Sequence, residues 1–158
     1  MSQNLYLGKR AFAGQVARAG ESGVVAVSYV NKGDKKIKGG HFVAQADGGC
    51  KNVSAVTDRL LGVSVVMGIH HEFKPNRNLS VMSIPHGSEI WVEMAADSTL
   101  NTGDVVKVIA TGDEAGCISH DGGITTQFYV SGVLGNLAKI MRDENIVPTI
   151  TTTKAGAK

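Results

Sequence analysis

His70-His71-Glu72 is the densest group of potential ligands and proton carriers in the chain. On a strand, His70 and His71 point to opposite faces and cannot close on one ion. On a helix, the H-E-x-x-H spacing that would place two histidines on one face is missing. A surface strand end or turn is the expected setting. His41, His86 and His120 each stand alone beside turn residues and carry the same expectation. Cys50 and Cys117 lie far apart with no C-x-x-C spacing, so neither a disulfide framework nor a zinc knuckle is indicated. Lys51 would lower the Cys50 pKa modestly, but buried structural thiols are the expectation at both positions.

The remaining chemistries lack their parts. No G-x-S-x-G elbow occurs, since Ser131-Gly132 has Tyr129 where the first glycine belongs. Neither G-x-x-x-x-G-K-[ST] nor a G-x-G-x-x-G between strand and helix is present. The carboxylate pairs Asp113-Glu114 and Asp143-Glu144 are sequence neighbours at turns, where solvated charge needs no catalytic reason. The basic run Lys32 to Lys38 is flanked by glycine rather than aromatics, so it lacks the stacking platform of a single-strand nucleic-acid groove and reads as a contact patch. The sequence thus predicts no catalytic residues, no cofactor, no metal and no enzyme activity.

The elements that would position any site are strands. Apolar runs of strand length, rich in Val, Ile, Phe or Tyr, recur at Val24–Val30, His41–Ala46, Gly62–Met67, Leu79–Ile84, Glu89–Met94, Asp104–Ala110 and Gln127–Val133. Between them stand turn signals such as Asn31-Lys32-Gly33-Asp34, Asp47-Gly48-Gly49 and Asp121-Gly122-Gly123. Phe12, Ala13, Val16 and Ala17 would share a face of a short helix, but Gly8, Gly14 and Gly20 each weaken it by about 1 kcal/mol relative to Ala. Asn136–Asn145 fits helical spacing through Leu137, Ile140 and Met141, and a strand through Ala138 and Ile140; a final strand is the expectation. Asp34, Ile37, Gly40 and Val43 match Asp97, Leu100, Gly103 and Val106 at a constant offset, as a duplication or a shared β-turn signature would.

These features predict an all-β protein, a compact antiparallel β-sandwich or barrel, jelly-roll-like or β-clip-like, of eight to ten strands. The domain is expected over residues 24–147, between an N-terminal arm over 1–23 and a C-terminal tail over 148–158. At 158 residues, 42% hydrophobic and 19% charged, the chain suits one globular domain. Its net charge of +2 gives no strong pull toward nucleic acid or membrane. Residues 1–79 hold eleven Lys/Arg against five Asp/Glu, and residues 80–158 five against nine. Such a division suits head-to-tail contacts, or is scattered solvated charge. The opening MSQNLYLGKR lacks the apolar run of a secretory signal, and no stretch approaches the roughly 20 apolar residues of a membrane span, so a soluble compartment is expected.

From residue 37 to 118 the order of parts resembles phage structural cement proteins. His41-Phe42-Val43-x-x-Ala46-Asp47-Gly48 leads into a Gly62-Val63 strand and then an apolar strand ending Ile84-Pro85-x-Gly87. A further strand follows, then Thr99-Leu100-x-x-Gly103-Asp104 and a Val-rich strand from Val105. The resemblance implies a cement, or decoration, protein made in the host cytoplasm and carried on the outer capsid surface of the virion. Its partners would be the major capsid protein and neighbouring copies of itself, as a dimer or trimer on the shell, with no nucleic acid and no membrane. Candidate contact residues are Leu5, Tyr6, Leu7, Lys9, Arg10, Phe12, Val16 and Arg18 in the N-terminal arm, and Lys35, Lys36 and Lys38 in the basic run. The long basic N-terminal segment and His70-His71-Glu72 depart from the family pattern. Two other readings use the same composition: a small-molecule-binding or enzymatic β-clip-like domain, with a pocket at His70, His71 or Cys50, and a phage tail or baseplate component.

Overall fold

The computed structural model describes residues 11–19, 26–66 and 68–143. Thirteen strands are present among them: β1 Val16–Arg18, β2 Ala26–Val30, β3 Ile37–Lys38, β4 Phe42–Ala46, β5 Gly49–Asn52, β6 Leu60–Val65 and β7 Glu72–Phe73, then β8 Asn78–Met82, β9 Glu89–Glu93, β10 Val105–Val108, β11 Ile118–Ser119, β12 Ile124–Leu134 and β13 Leu137–Arg142. Among the described residues none is helical, so no helix there is long and apolar enough to cross a membrane. The strands form a six-stranded sheet ordered β1-β9-β13-β12-β10-β11, a five-stranded sheet ordered β2-β8-β6-β4-β5, and a β3-β7 ribbon. All pair antiparallel within open sheets, so the fold is a β-sandwich and not a closed barrel.

Every long apolar run found in the sequence contains a strand. The count exceeds the expected eight to ten because β1, β3, β5, β7 and β11 are two to four residues long, too short to show a period of two. Asn136–Asn145 does hold a final strand, β13, with Ala138 and Ile140 fully buried.

The main core lies between the two large sheets. Phe42, Val63 and Met82 come from the five-stranded sheet and meet Ile90, Val92, Val106, Phe128, Val130 and Ile140 from the six-stranded one. The Phe42 and Phe128 rings sit 6.0 Å apart. A second cluster of Ile37, Val43, Cys50, Leu79 and Val81 covers the opposite face of the five-stranded sheet, with Phe73 of the β3-β7 ribbon packed against it. This sheet is therefore buried on both faces, which is why His41 to Ala44 and Gly62 to Val66 read as continuous apolar runs rather than alternations.

The repeated sequence pattern has a repeated local form. Ile37 and Leu100 are both buried, Gly40 and Gly103 both take positive φ of 75° and 97°, and Val43 and Val106 are both buried on the strands that follow. The two glycines occupy a conformation that L side chains rarely adopt.

The stretch expected to be an arm lies against the domain over its described part. Instead of a short helix, a turn at Ala13-Gly14 leads into β1, which pairs with β9 through Val16↔Ile90 and Arg18↔Glu89. Gly14 donates to Trp91 O at 2.8 Å and accepts from Val66 N at 3.0 Å, so this one residue touches both sheets. A helix would forfeit these bonds, and Gly14, which weakens a helix, suits the close approach to Gly40.

Candidate functional site

The lysines of the basic run are held on the surface by a buried asparagine. Asn31 is fully buried; its Nδ2 donates to Lys35 O at 2.9 Å and Phe73 O at 3.0 Å, while Oδ1 accepts from Gly33 N at 3.0 Å. The loop is thereby fixed to the β3-β7 ribbon. Strand alternation then points Ile37 into the second core and Lys36 and Lys38 outward. Replacing Asn31 with alanine strands two carbonyls, and we expect a loss of about 1–3 kcal/mol together with faster amide exchange across residues 32–36, read by denaturant melts and hydrogen exchange.

A cleft of about 500 Å³ opens beside this loop, lined among others by Lys35, Lys36, Lys38, His41, Lys51 and Asp113. Two of its four lysines are paired. Lys36 Nζ lies 3.0 Å from Glu72 Oε2, whose carboxyl is held below its ordinary pKa by that contact. Lys51 Nζ lies 3.0 Å from Asp58 Oδ1. Burial pushes the Asp58 pKa up, but hydrogen bonds from Ser54 N, Lys51, Ala55 N and Ser54 Oγ together outweigh it and bring it down to about 2. Lys35 and Lys38 form no ion pair among the described residues, and Asp34 and Asp113 line the same cleft.

At its inner end the cleft reaches His41, whose setting the sequence does not reveal. Ser64 pins the turn before β4: its Oγ donates to Lys38 O at 2.6 Å and accepts from His41 N at 3.3 Å. The imidazole is buried, with Nε2 2.8 Å from Glu93 Oε2 at the end of β9 and 3.7 Å from Cys117 Sγ just before β11. Gly116 makes this approach possible: at φ 92°, a Cβ there would stand 2.8 Å from Phe42 O and 3.3 Å from His41 Cβ. His41 just before β4, Glu93 at the end of β9 and Cys117 just before β11 are remote in sequence, and no spacing pattern joins them.

Both thiols are free and buried. Burial lifts the Cys50 pKa to about 11, so the modest lowering expected from Lys51 does not occur; that lysine pairs instead with Asp58. Burial, with the charges of Glu93 and Glu114, lifts Cys117 to about 12. Neither thiol ionises appreciably near pH 8, and we expect negligible labelling of the native protein by a disulfide reagent there, against two equivalents after denaturation.

The other sequence candidates are dispersed. Phe12 is 41% exposed and meets the His71 ring edge-on at 5.6 Å. Val16 packs against the main core, and Arg18 lies 3.7 Å from Glu89 on its own domain. Leu5, Tyr6, Leu7, Lys9 and Arg10 lie outside the described residues. His70 and His71 are exposed before β7, while Cys50 belongs to the second core, so these three do not form a common pocket.

Two open antiparallel sheets around an apolar core, with a lysine-lined surface cleft, define a β-sandwich. A family profile described as Structural cement protein (E217 gp24/Pam3 gp6) matches residues 2–143, and the chain belongs to that family of phage structural proteins. A chain from the structure titled "The capsid of Myoviridae Phage XM1" has the same fold, with a TM-score of 0.67, 14% identity, and coverage of 92% of this chain and 99% of the other. No curated protein matches this sequence.

Proposed function

We propose that this cement protein seats on the outer surface of the major capsid protein shell, contacts neighbouring copies of itself as a dimer or trimer, and stabilises the shell by binding alone. The carrying observation is the family match across residues 2–143. The surface supports it: Lys35 and Lys38 are unpaired among the described residues, and Phe12 and Ile69 are exposed apolar groups, the latter 85% exposed. A mixed charged and apolar face on a rigid core suits protein association across subunit seams. Catalysis has no part in this role, and the protein would be made in the host cytoplasm and end on the virion.

Mixing the purified protein with undecorated capsids should give saturable binding at a fixed copy number per shell. The double variant Lys35→Glu, Lys38→Glu should bind roughly tenfold to thirtyfold more weakly at low salt, because like charge set against a complementary surface is repelled. The difference should shrink toward 0.5 M salt, where the Debye length is below about 5 Å. Equal binding by both proteins at every salt concentration would place the contact elsewhere, and absence of saturable binding by the wild type would refute the role itself.

A further inference from the structure

We propose that His41, Glu93 and Cys117 form a binding site for a divalent transition-metal ion of the zinc class, which staples the two sheets of the sandwich together. Their ligand atoms, one from each residue, all lie within 4.8 Å of one another. The donor set is the one zinc favours: imidazole nitrogen, thiolate sulfur and carboxylate oxygen. Around a tetrahedral ion with metal–nitrogen and metal–sulfur lengths of about 2.0 and 2.3 Å, the nitrogen and sulfur stand about 3.5 Å apart. The observed separation of His41 Nε2 and Cys117 Sγ is 3.7 Å. Glu93 Oε2, now hydrogen-bonded to His41 Nε2 at 2.8 Å, would stand about 0.5 Å farther from that nitrogen across a shared ion.

The same geometry argues against a nucleophilic triad. A catalytic histidine takes the acid on one ring nitrogen and faces the nucleophile with the other. Here Glu93 and Cys117 both approach Nε2, so the imidazole cannot relay a proton between them, whereas a metal requires this convergence on a single point. The charges also balance. A dipositive ion with one thiolate, one carboxylate and a neutral imidazole is neutral overall, which lowers the cost of burying the group. On binding, the sulfur–metal bond replaces the Cys117 S–H bond and that proton leaves to solvent, while the nitrogen–metal bond replaces the Nε2–H bond that faces Glu93 and the imidazole takes up its proton at Nδ1 instead. Glu93 keeps a third of its side chain exposed and His41 lines the cleft, so an ion could enter from solvent and take a water as its fourth ligand.

The ligands are fixed by the fold. His41 enters β4 in one large sheet, while Glu93 ends β9 and Cys117 precedes β11 in the other. An ion held by all three resists separation of the sheets, as a cross-link would.

Cobalt(II) titrated into the full chain after chelator treatment tests the site. One equivalent should bind with four-coordinate visible bands and thiolate-to-cobalt charge-transfer absorption, both abolished by added zinc, and zinc should raise the thermal midpoint of the wild type. Glu93→Gln, which keeps an oxygen for the His41 hydrogen bond and is chosen to fold, should lose at least tenfold in affinity. Cys117→Ser should lose the charge-transfer band, and Cys50→Ser should retain it. Absence of stoichiometric cobalt uptake, bands without thiolate character, or a Glu93→Gln chain that binds as tightly as the wild type would each overturn the site; if Cys117→Ser does not fold, Glu93→Gln decides.

Discussion

A Gly62→Ala chain is expected to lose about 4 kcal/mol of stability. An alanine Cβ at this position would stand 2.2 Å from Met82 O and 2.7 Å from Met82 C, both backbone atoms of the adjoining strand β8. Backbone cannot rotate aside as a side chain can, so β6 and β8 would have to part. Gly62 also has φ of 151°, outside the range of ordinary L residues, at the point where the β4–β6 register shifts between Val43 and Ala44. Costs above about 4 kcal/mol arise from few mechanisms, and overpacking against backbone combined with a special φ unites two of them. Against a total stability of roughly 5–15 kcal/mol, such a loss leaves a marginal fold. Urea melts of the two proteins measure it; a difference below about 1 kcal/mol would mean that β6 and β8 separate freely.

Removal of residues 1–19 is expected to lower the thermal midpoint by about 10 °C. The deletion takes away β1, the bonds Gly14 N to Trp91 O, Trp91 N to Gln15 O and Val66 N to Gly14 O, and the packing of Val16 on the main core. Three backbone hydrogen bonds at about 1 kcal/mol each and a partly buried valine at about 1 kcal/mol sum to roughly 4 kcal/mol. For a chain of this size each kcal/mol corresponds to about 2–4 °C. Deleting only residues 1–10 keeps all three bonds, so comparison of the two truncations by calorimetry isolates β1. If the longer deletion melts with the full chain, β1 is dispensable. Capsid sedimentation of the shorter one measures what Leu5, Tyr6, Leu7, Lys9 and Arg10 add to attachment.

Much of this fold was legible because strands announce themselves through apolar residues. Val63, Val81, Val92 and Val106 are where the pattern put them, and β13 follows from the inward pair Ala138 and Ile140. The short strands were not legible: in β3 and β7, two residues each, nothing in Ile37-Lys38 or Glu72-Phe73 marks a pairing made across 35 intervening positions. The segment around Gly14 misleads for a related reason. Gly14 speaks against a helix, but only the partner backbone at Gly40, Ser64 and Trp91 explains what it is for.

The site divides along the same line. Local spacing determined that Lys35, Lys36 and Lys38 form an exposed basic run, since glycine-flanked lysines have nowhere else to go. Tertiary structure alone decided that Lys36 pairs with Glu72 while Lys35 and Lys38 form no ion pair among the described residues. It alone decided that His41, set down in the sequence as a solitary turn residue, shares one point in space with Glu93 and Cys117. The physical reason is range. Strand periodicity and turn chemistry act over a few residues and are written in consecutive positions. The meeting of β4, β9 and the loop before β11 is set by which apolar faces close on the common core, and that closure brings together polar groups that no local pattern relates.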